Sequence, residues 1–233
     1  MDLSQLTDKI YNENEIFEHF LSLDGKTILE LGCGKADITR LIATNGYGRK
    51  ITATEVDVDQ YKKNILIDDL SNVTFIVAGS ENIPLDDETF DIVFMFKSLH
   101  HVPEKEIENA LHEVKRVLKH GGIAYISEPI FSGDFNEVLR LFHDEEQVRD
   151  AAYSAIRNSI SNENLISLDE LFFNTSISFK SFEEFEEKIM NVTHTDHELS
   201  SDLYECVKKQ FLLNLEDDGA KFLIPIRVNL LQK

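Results

Sequence analysis

Thr27-Ile-Leu-Glu-Leu-Gly-Cys-Gly34 is the stretch on which the fold turns. A short apolar strand ends in two glycines flanking a cysteine, and Ile38, Leu41 and Ile42 then recur at the spacing of one helix face. The order is strand, glycine turn, helix. Glycines in such a turn let a ligand approach the backbone, and the helix that follows offers N–H groups without intrahelical partners. A tight connection with no ligand would have the same pattern, so the flanking segments must decide. Ala36 stands where a dinucleotide-binding fingerprint carries its third glycine, which makes a nicotinamide or flavin enzyme the poorer reading.

Working outward, Lys50 to Glu55 reads as a second strand and Val73 to Val77 as a third, with a polar, helix-compatible stretch from Asp59 to Leu70 between them. Phe90 to Phe96 is apolar almost throughout, as a strand covered on both faces should be. Pro103, three early glutamates and the stripe Ile107, Leu111, Val114 and Leu118 predict the next helix, with Gly121-Gly122 as its stop and Ile123 to Ile130 as a fifth strand. Strands alternating with helices imply an α/β protein: a doubly wound, mostly parallel sheet with helices on both faces.

Before this core, Leu6, Ile10, Phe17, Phe20 and Leu21 predict an N-terminal helix that leans on the body. After it, Val138, Leu141, Phe142, Val148, Ala152 and Ile156 predict inserted helices, expected as a lid over the sheet's carboxyl edge. Ile177 to Phe179 reads as a short strand, Phe182 to Met190 and Leu199 to Phe211 as helices, and Phe222 to Leu231 as a last, antiparallel strand. No linker or repeat interrupts the chain. The organisation expected is one domain over 1–233: helix or flap 1–24, cofactor-binding core 25–130, helical lid 131–174, and the rest of the sheet and its helices 175–233.

Composition narrows the partners. The 233 residues include 43 acidic and 23 basic side chains, a net charge of −20, and 42% hydrophobic residues, enough for a full core. Such a balance opposes a phosphate-backbone partner, because nucleic-acid binding is driven by Lys and Arg releasing counterions. The first residues have neither a basic segment nor an apolar one, and no apolar run approaches the ~18 residues that cross a bilayer. Two cysteines, Cys33 and Cys206, without a zinc-type Cys/His cluster fit a reduced, cytoplasmic setting.

The residues that carry chemistry gather at strand ends. Glu55 closes the second strand, where its carboxylate can accept both hydroxyl hydrogens of a ribose; Asp57 and Asp59 compete for that role, or form a turn and a helix cap. His100 and His101 follow the fourth strand and are the candidate bases. Lys97, Ser98 and Glu128 end the fourth and fifth strands as pocket candidates, and Tyr11 is either brace packing or a closure over the ligand. His194-Thr-Asp-His197, spaced i, i+3, hints at a metal pair but matches no specific motif, and a solvated loop is the better reading. Cys33 lies at a helix N-terminus, which favours thiolate, though a small filler is its expected role.

Five segments in succession, ILELGCGKADIT, TATEVD, FIVAGSENIPL, FDIVFMFKSLHHV and ALHEVKRVLKHGGIAYISEP, resemble the ordered motifs of class I S-adenosylmethionine-dependent methyltransferases across Ile28 to Pro129. The nearest likeness is to the group that includes ubiquinone- and menaquinone-biosynthesis enzymes. The resemblance implies a Rossmann-like sheet of seven strands with an antiparallel C-terminal strand, and S-adenosylmethionine as cofactor with no metal. It implies that Glu30, Gly32, Cys33 and Gly34 line the methionine end, that Glu55 and the adjacent Val56 hold the ribose side, that Gly79 and Ser80 flank the adenine, and that Lys97 borders the site. Relatives commonly carry an aspartate at the place of Gly79, accepting a hydrogen bond from the adenine amine. Losing that bond costs about 1 kcal/mol unless Ser80, Glu81, Asn82 or a backbone carbonyl substitutes.

The activity implied is methyl transfer to a small molecule. Lys97-Ser98-Leu99-His100-His101 is not the Asn/Asp-Pro-Pro-aromatic segment of base-amino methyltransferases, and no Pro-Cys nucleophile suits cytosine C5 chemistry. A methyltransferase-like sensor or partner subunit is the alternative, motivated by Gly79, and a protein methyltransferase is a third.

Overall fold

In the computed structural model, residues 9–191 and 199–233 are described. They form helices α1 (Glu13–Phe20), α2 (Asp37–Thr44), α3 (Val58–Asn64), α4 (Ile107–Val117), α5 (Asp134–Leu139), α6 (Glu146–Ser161), α7 (Phe182–Phe185) and α8 (Ser201–Leu212). The strands are β1 (Thr27–Leu31), β2 (Lys50–Glu55), β3 (Val73–Val77), β4 (Phe90–Phe96), β5 (Leu118–Pro129), β6 (Ile166–Phe179), β7 (Leu215–Glu216) and β8 (Gly219–Gln232). Seven strands follow one path, β3-β2-β1-β4-β5-β8-β6, and the two-residue β7 pairs β8 off it. Strands β3 to β5 along that path pair in parallel, and β7 with β8 antiparallel, so the mostly parallel α/β sheet expected is the one observed.

The described residues divide into two compact units, one of Asn12–Glu128, Asp150–Leu171 and Arg227–Lys233, the other of residues 9–11, Pro129–Arg149, 172–191 and 199–226. In the larger unit one sheet face is covered by α4 and α6. Leu29, Leu31, Val93, Met95, Ala124 and Ile126 on the strands pack there against Ile107, Leu111, Val114, Ala152 and Ile156. Each large side chain so buried contributes about 1.5–3 kcal/mol. The opposite face carries an aromatic cluster in which Phe17 of α1 lies 5.3 Å from Phe94 and 6.3 Å, edge-on, from Tyr125. In the smaller unit Phe179, Phe182, Phe185, Phe211 and Phe222 build a second core with Val138 and Val207.

Three boundaries differ from expectation. The first helix begins at Glu13, because Asn12 and Glu15 close a capping box there, the Asn12 N–H donating to Glu15 Oε2 at 2.7 Å. Ile10 instead bridges Asn174, and Leu6 lies outside the described residues. Gly121-Gly122 does not stop the helix; α4 ends at Val117, and Leu118 already pairs with Phe90 as β5 begins. Within the strand both positions call for glycine: Gly121 is left-handed, φ +75°, and a Cβ on Gly122 would lie 2.9 Å from the Lys119 carbonyl oxygen. The segment expected to be a helical lid to 174 is helical only to Ser161, and α6 is core of the larger unit. The chain then extends as β6, whose buried residues Leu171, Phe173 and Phe179 share one face by the two-residue period, a signal diluted by the polar residues between them.

Candidate active site

The site lies at the carboxyl ends of β1, β2, β4 and β5. The Gly32 and Cys33 amides both donate to the Thr54 carbonyl, at 3.1 and 2.8 Å, which pins the glycine turn to the end of β2. Gly32 is left-handed, φ +75°, and a Cβ on it would come within 2.8 Å of Ser98 Cβ. Gly34 is left-handed too, φ +53°, but a Cβ there meets nothing within 4 Å, so that side of the turn is open. Ser98 ties β4 to β1 by donating its hydroxyl to the Leu31 carbonyl at 2.9 Å.

Glu55 joins the two halves of this edge. Its Oε2 accepts the Gly34 N–H at 2.7 Å and its Oε1 the Asp57 N–H at 2.9 Å. A carboxylate has about four lone-pair directions, so each oxygen keeps capacity for a ligand hydroxyl. Asp57 caps α3, accepting from the Asp59 and Gln60 amides, and Asp59 pairs with Lys62 at 2.7 Å. Both competitors of Glu55 therefore have structural work. Beyond it, Val56 is 63% exposed and Val77, the register partner of Glu55 on β3, is 44% exposed, an apolar lip at the strand ends.

Glu30 is buried on β1, and its Oε2 has no hydrogen-bond partner. Burial pushes its carboxyl up to about 8. Burial, reinforced by Glu30 and Glu55, also pushes the Cys33 thiol up to about 12, so the helix N-terminus does not make it a thiolate. Asn64, from α3, donates to Cys33 Sγ at 3.5 Å and to the Gly34 carbonyl at 2.8 Å. Asn64 escaped the sequence reading, since nothing in a helix-borne asparagine marks a turn thirty residues away.

Gly79 has an unexpected neighbour. A side chain there would overlap the carboxylate of Glu81, which occupies that space instead. Ser80 between them is buried, and Asn109 anchors the segment by donating to the Glu81 carbonyl at 2.7 Å.

At the β4–β5 end Lys97 is exposed and left-handed, φ +53°, with its amide donating to the Ser127 carbonyl at 2.7 Å. A non-glycine residue held there costs about 1–2 kcal/mol, strain of a kind that collects at functional sites. The turn it starts buries His100, whose Nδ1 meets Glu128 Oε2, while Glu128 Oε1 accepts the Leu99 N–H at 2.9 Å. His101 is exposed, its ring 4.1 Å from that of His100. Of the two histidine candidates, His100 meets the buried Glu128 carboxylate, and His101 stands against its ring. On the other sheet face Tyr125 donates its hydroxyl to Glu13 Oε1 at 2.7 Å. Burial raises the Glu13 carboxyl, with Lys97 opposing. That pair also escaped the sequence reading, being 112 residues apart. Tyr11 belongs to the smaller unit, where its amide donates to the Asn174 carbonyl at 2.8 Å. His194 and His197 lie outside the described residues.

These residues suit S-adenosylmethionine. The partnerless Glu30 oxygen suits the ammonium of a methionine moiety, the open side of Gly34 its passage, and Glu55 its ribose.

Comparison with known proteins agrees. Residues 28–122 match a family model described as a methyltransferase domain. A phosphoethanolamine N-methyltransferase of Triticum aestivum is 33% identical over 57% of this chain and 27% of its own length. A ubiquinone/menaquinone biosynthesis C-methyltransferase of Escherichia fergusonii is 32% identical over 52% of this chain and 48% of its own. The chain therefore aligns with no more than about half of these relatives. A Bacillus halodurans protein solved as a methyltransferase candidate shares the fold over 95% of this chain and 98% of its own, with TM-score 0.67 and 17% identity. Motif order, sheet and these matches agree: residues 28–122 form a methyltransferase domain, and the chain is similar in sequence to the methyltransferases named and shares its fold with solved ones.

Proposed function

We propose that this chain transfers a methyl group from S-adenosylmethionine to a small-molecule acceptor in the cytoplasm, with His100 as general base. The observation that carries the reading is Glu55, fixed by two backbone amides beside an open glycine turn. When bound, the cofactor supplies a methyl group already activated by its sulfonium. The chain's own task is then to bind, align and exclude water. Glu30 and the glycine turn hold the methionine end, Glu55 the ribose, and Val56 with Val77 an apolar side of the adenine.

Glu128 keeps the proton of His100 on Nδ1 and holds the ring, so that an acceptor hydroxyl or ammonium loses its proton to Nε2. A carbon acceptor and a nitrogen acceptor are both represented among the relatives named above, and the base serves either. The acidic surface supports a small, non-polyanionic acceptor. No helix among the described residues is long and apolar enough to cross a membrane.

The reading as a cofactor-binding sensor drew on Gly79. The Glu81 carboxylate above Gly79 supplies an acceptor for the adenine amine and removes most of that motive. Calorimetry with S-adenosylhomocysteine, followed by methyl transfer to a metabolite panel, tests the proposal. Binding with turnover is expected; no binding at millimolar concentration defeats it, and tight binding without turnover on any extract favours the sensor.

A further inference from the structure

The seam between β5 and β8 carries a cation that the methyl-transfer reading leaves unused. Lys233 donates its amide to the Gly122 carbonyl at 3.1 Å, and Ile130 donates to the Pro225 carbonyl at 2.8 Å. The same number of residues separates these two bonds along each strand, so the strands run antiparallel without slip and Arg227 stands directly opposite Glu128. Opposed residues project to the same face. Here it is the face covered by α6, where Ala124, Ile126 and Leu231 share a core with Ala152 and Ile156.

Arg227 lies with its guanidinium carbon 3.5 Å from the centre of the Tyr153 ring. Its Nε is buried without a hydrogen-bond partner, and among the described residues no carboxylate forms an ion pair with it. The nearby acids have other partners: Glu128 takes His100 and the Leu99 amide, and Glu170 accepts from Asn229 Nδ2 at 2.9 Å. Burial lowers the guanidinium's pKa against the opposing fields of Tyr153, Glu170, Glu128 and Asp150. A guanidinium starts so far above neutrality that it keeps its charge. A stacked guanidinium has its N–H edge left in the ring plane, the geometry that grips a carboxylate or phosphate through two parallel hydrogen bonds.

We propose that Arg227, held by Tyr153 beside the His100–Glu128 pair, recognises an anionic group, carboxylate or phosphate monoester, on the methyl acceptor. The inference rests on the methyl-transfer reading and names its substrate class. One fork in a part-buried position accepts a small anion, whereas the surrounding acidity turns away a polyanion.

The test uses the full chain saturated with S-adenosylhomocysteine and labelled with ¹⁵N-arginine, titrated with inorganic phosphate and, separately, with acetate against sodium chloride at equal ionic strength. The Arg227 Nε–H resonance, assigned by its loss in Arg227→Gln, is expected to shift saturably with at least one anion. Phosphate alone points to a phosphorylated acceptor and acetate alone to a carboxylated one. Arg227→Gln is expected to leave S-adenosylhomocysteine affinity unchanged while abolishing the anion-dependent rise in melting temperature, and Arg227→Lys to weaken anion affinity about tenfold. Cofactor-product binding with no response to either anion overturns the inference alone; absence of cofactor-product binding overturns the methyl-transfer reading beneath it.

Discussion

The β1–β2 end and the β4–β5 end of one sheet edge are built on opposite plans. At the first, backbone groups supply nearly everything: two left-handed glycines, a carbonyl that takes both turn amides, and Glu55 clamped by the amides of Gly34 and Asp57. At the second, side chains distant in sequence meet in pairs, His100 with Glu128, Tyr125 with Glu13, and Arg227 with Tyr153. A backbone cradle suits a ligand that never changes, because its hydrogen bonds tolerate drift in the side chains around it. A corner of paired side chains can be re-specified one residue at a time, which suits the variable partner of a methyl transfer.

If that division holds, substitutions at the two ends separate in what they change. The largest effect belongs to the β4–β5 end: His100→Ala or Glu128→Ala lowers kcat by about 10²–10⁴-fold while S-adenosylhomocysteine affinity is unchanged, read by single-turnover kinetics and calorimetry. A parallel loss of cofactor affinity would break the comparison. Next, Glu55→Ala removes charge-assisted bonds to two ribose hydroxyls and weakens S-adenosylhomocysteine by roughly a hundredfold in calorimetry.

Glu30 gives a pH signature. Its carboxyl stands at about 8 in the folded chain against an ordinary 4.5, so the folded state binds the extra proton between those values. Stability of the ligand-free protein therefore falls as pH rises through that window, by roughly 1.4 kcal/mol per pH unit, and levels off above it. Urea unfolding at a series of pH values checks this, with Glu30→Gln expected to flatten the slope. The smallest effect is at the adenine: Glu81→Gln weakens S-adenosylhomocysteine by about five- to tenfold, and unaltered affinity would return Gly79 to being an unfilled gap.

How much was legible follows the same line. The parallel core was readable because each strand of it is a short apolar run with its own turn signal, and α4 because its stripe and flanking charges fall within a single helix. Glu55 was readable from its place at a strand end, and the structure strengthens that choice over Asp57 by giving Asp57 a helix to cap. The sequence offers several neighbours as a substitute for an acid at Gly79, and the loop's path puts the carboxylate of one of them, Glu81, in that space. The helical insertion after β5 is present but ends at Ser161, and α6 packs into the core, because apolar residues at helical spacing say that a helix exists, not which surface it covers.

By itself the sequence determined the alternation of elements, the parallel sheet, the glycine turn and the carboxylate at the end of the next strand, since each rests on periodicity or on its place at the end of a strand. Tertiary structure alone decided that His100 meets Glu128, where the Glu30 oxygen loses its partners, that the strand ending at Phe179 starts as far back as Ile166, and that Arg227 stands opposite Glu128. The physical reason is range: backbone propensity acts over one turn or one strand, whereas burial and the pairing of charges depend on which distant residues the closed sheet brings within a few ångströms of each other.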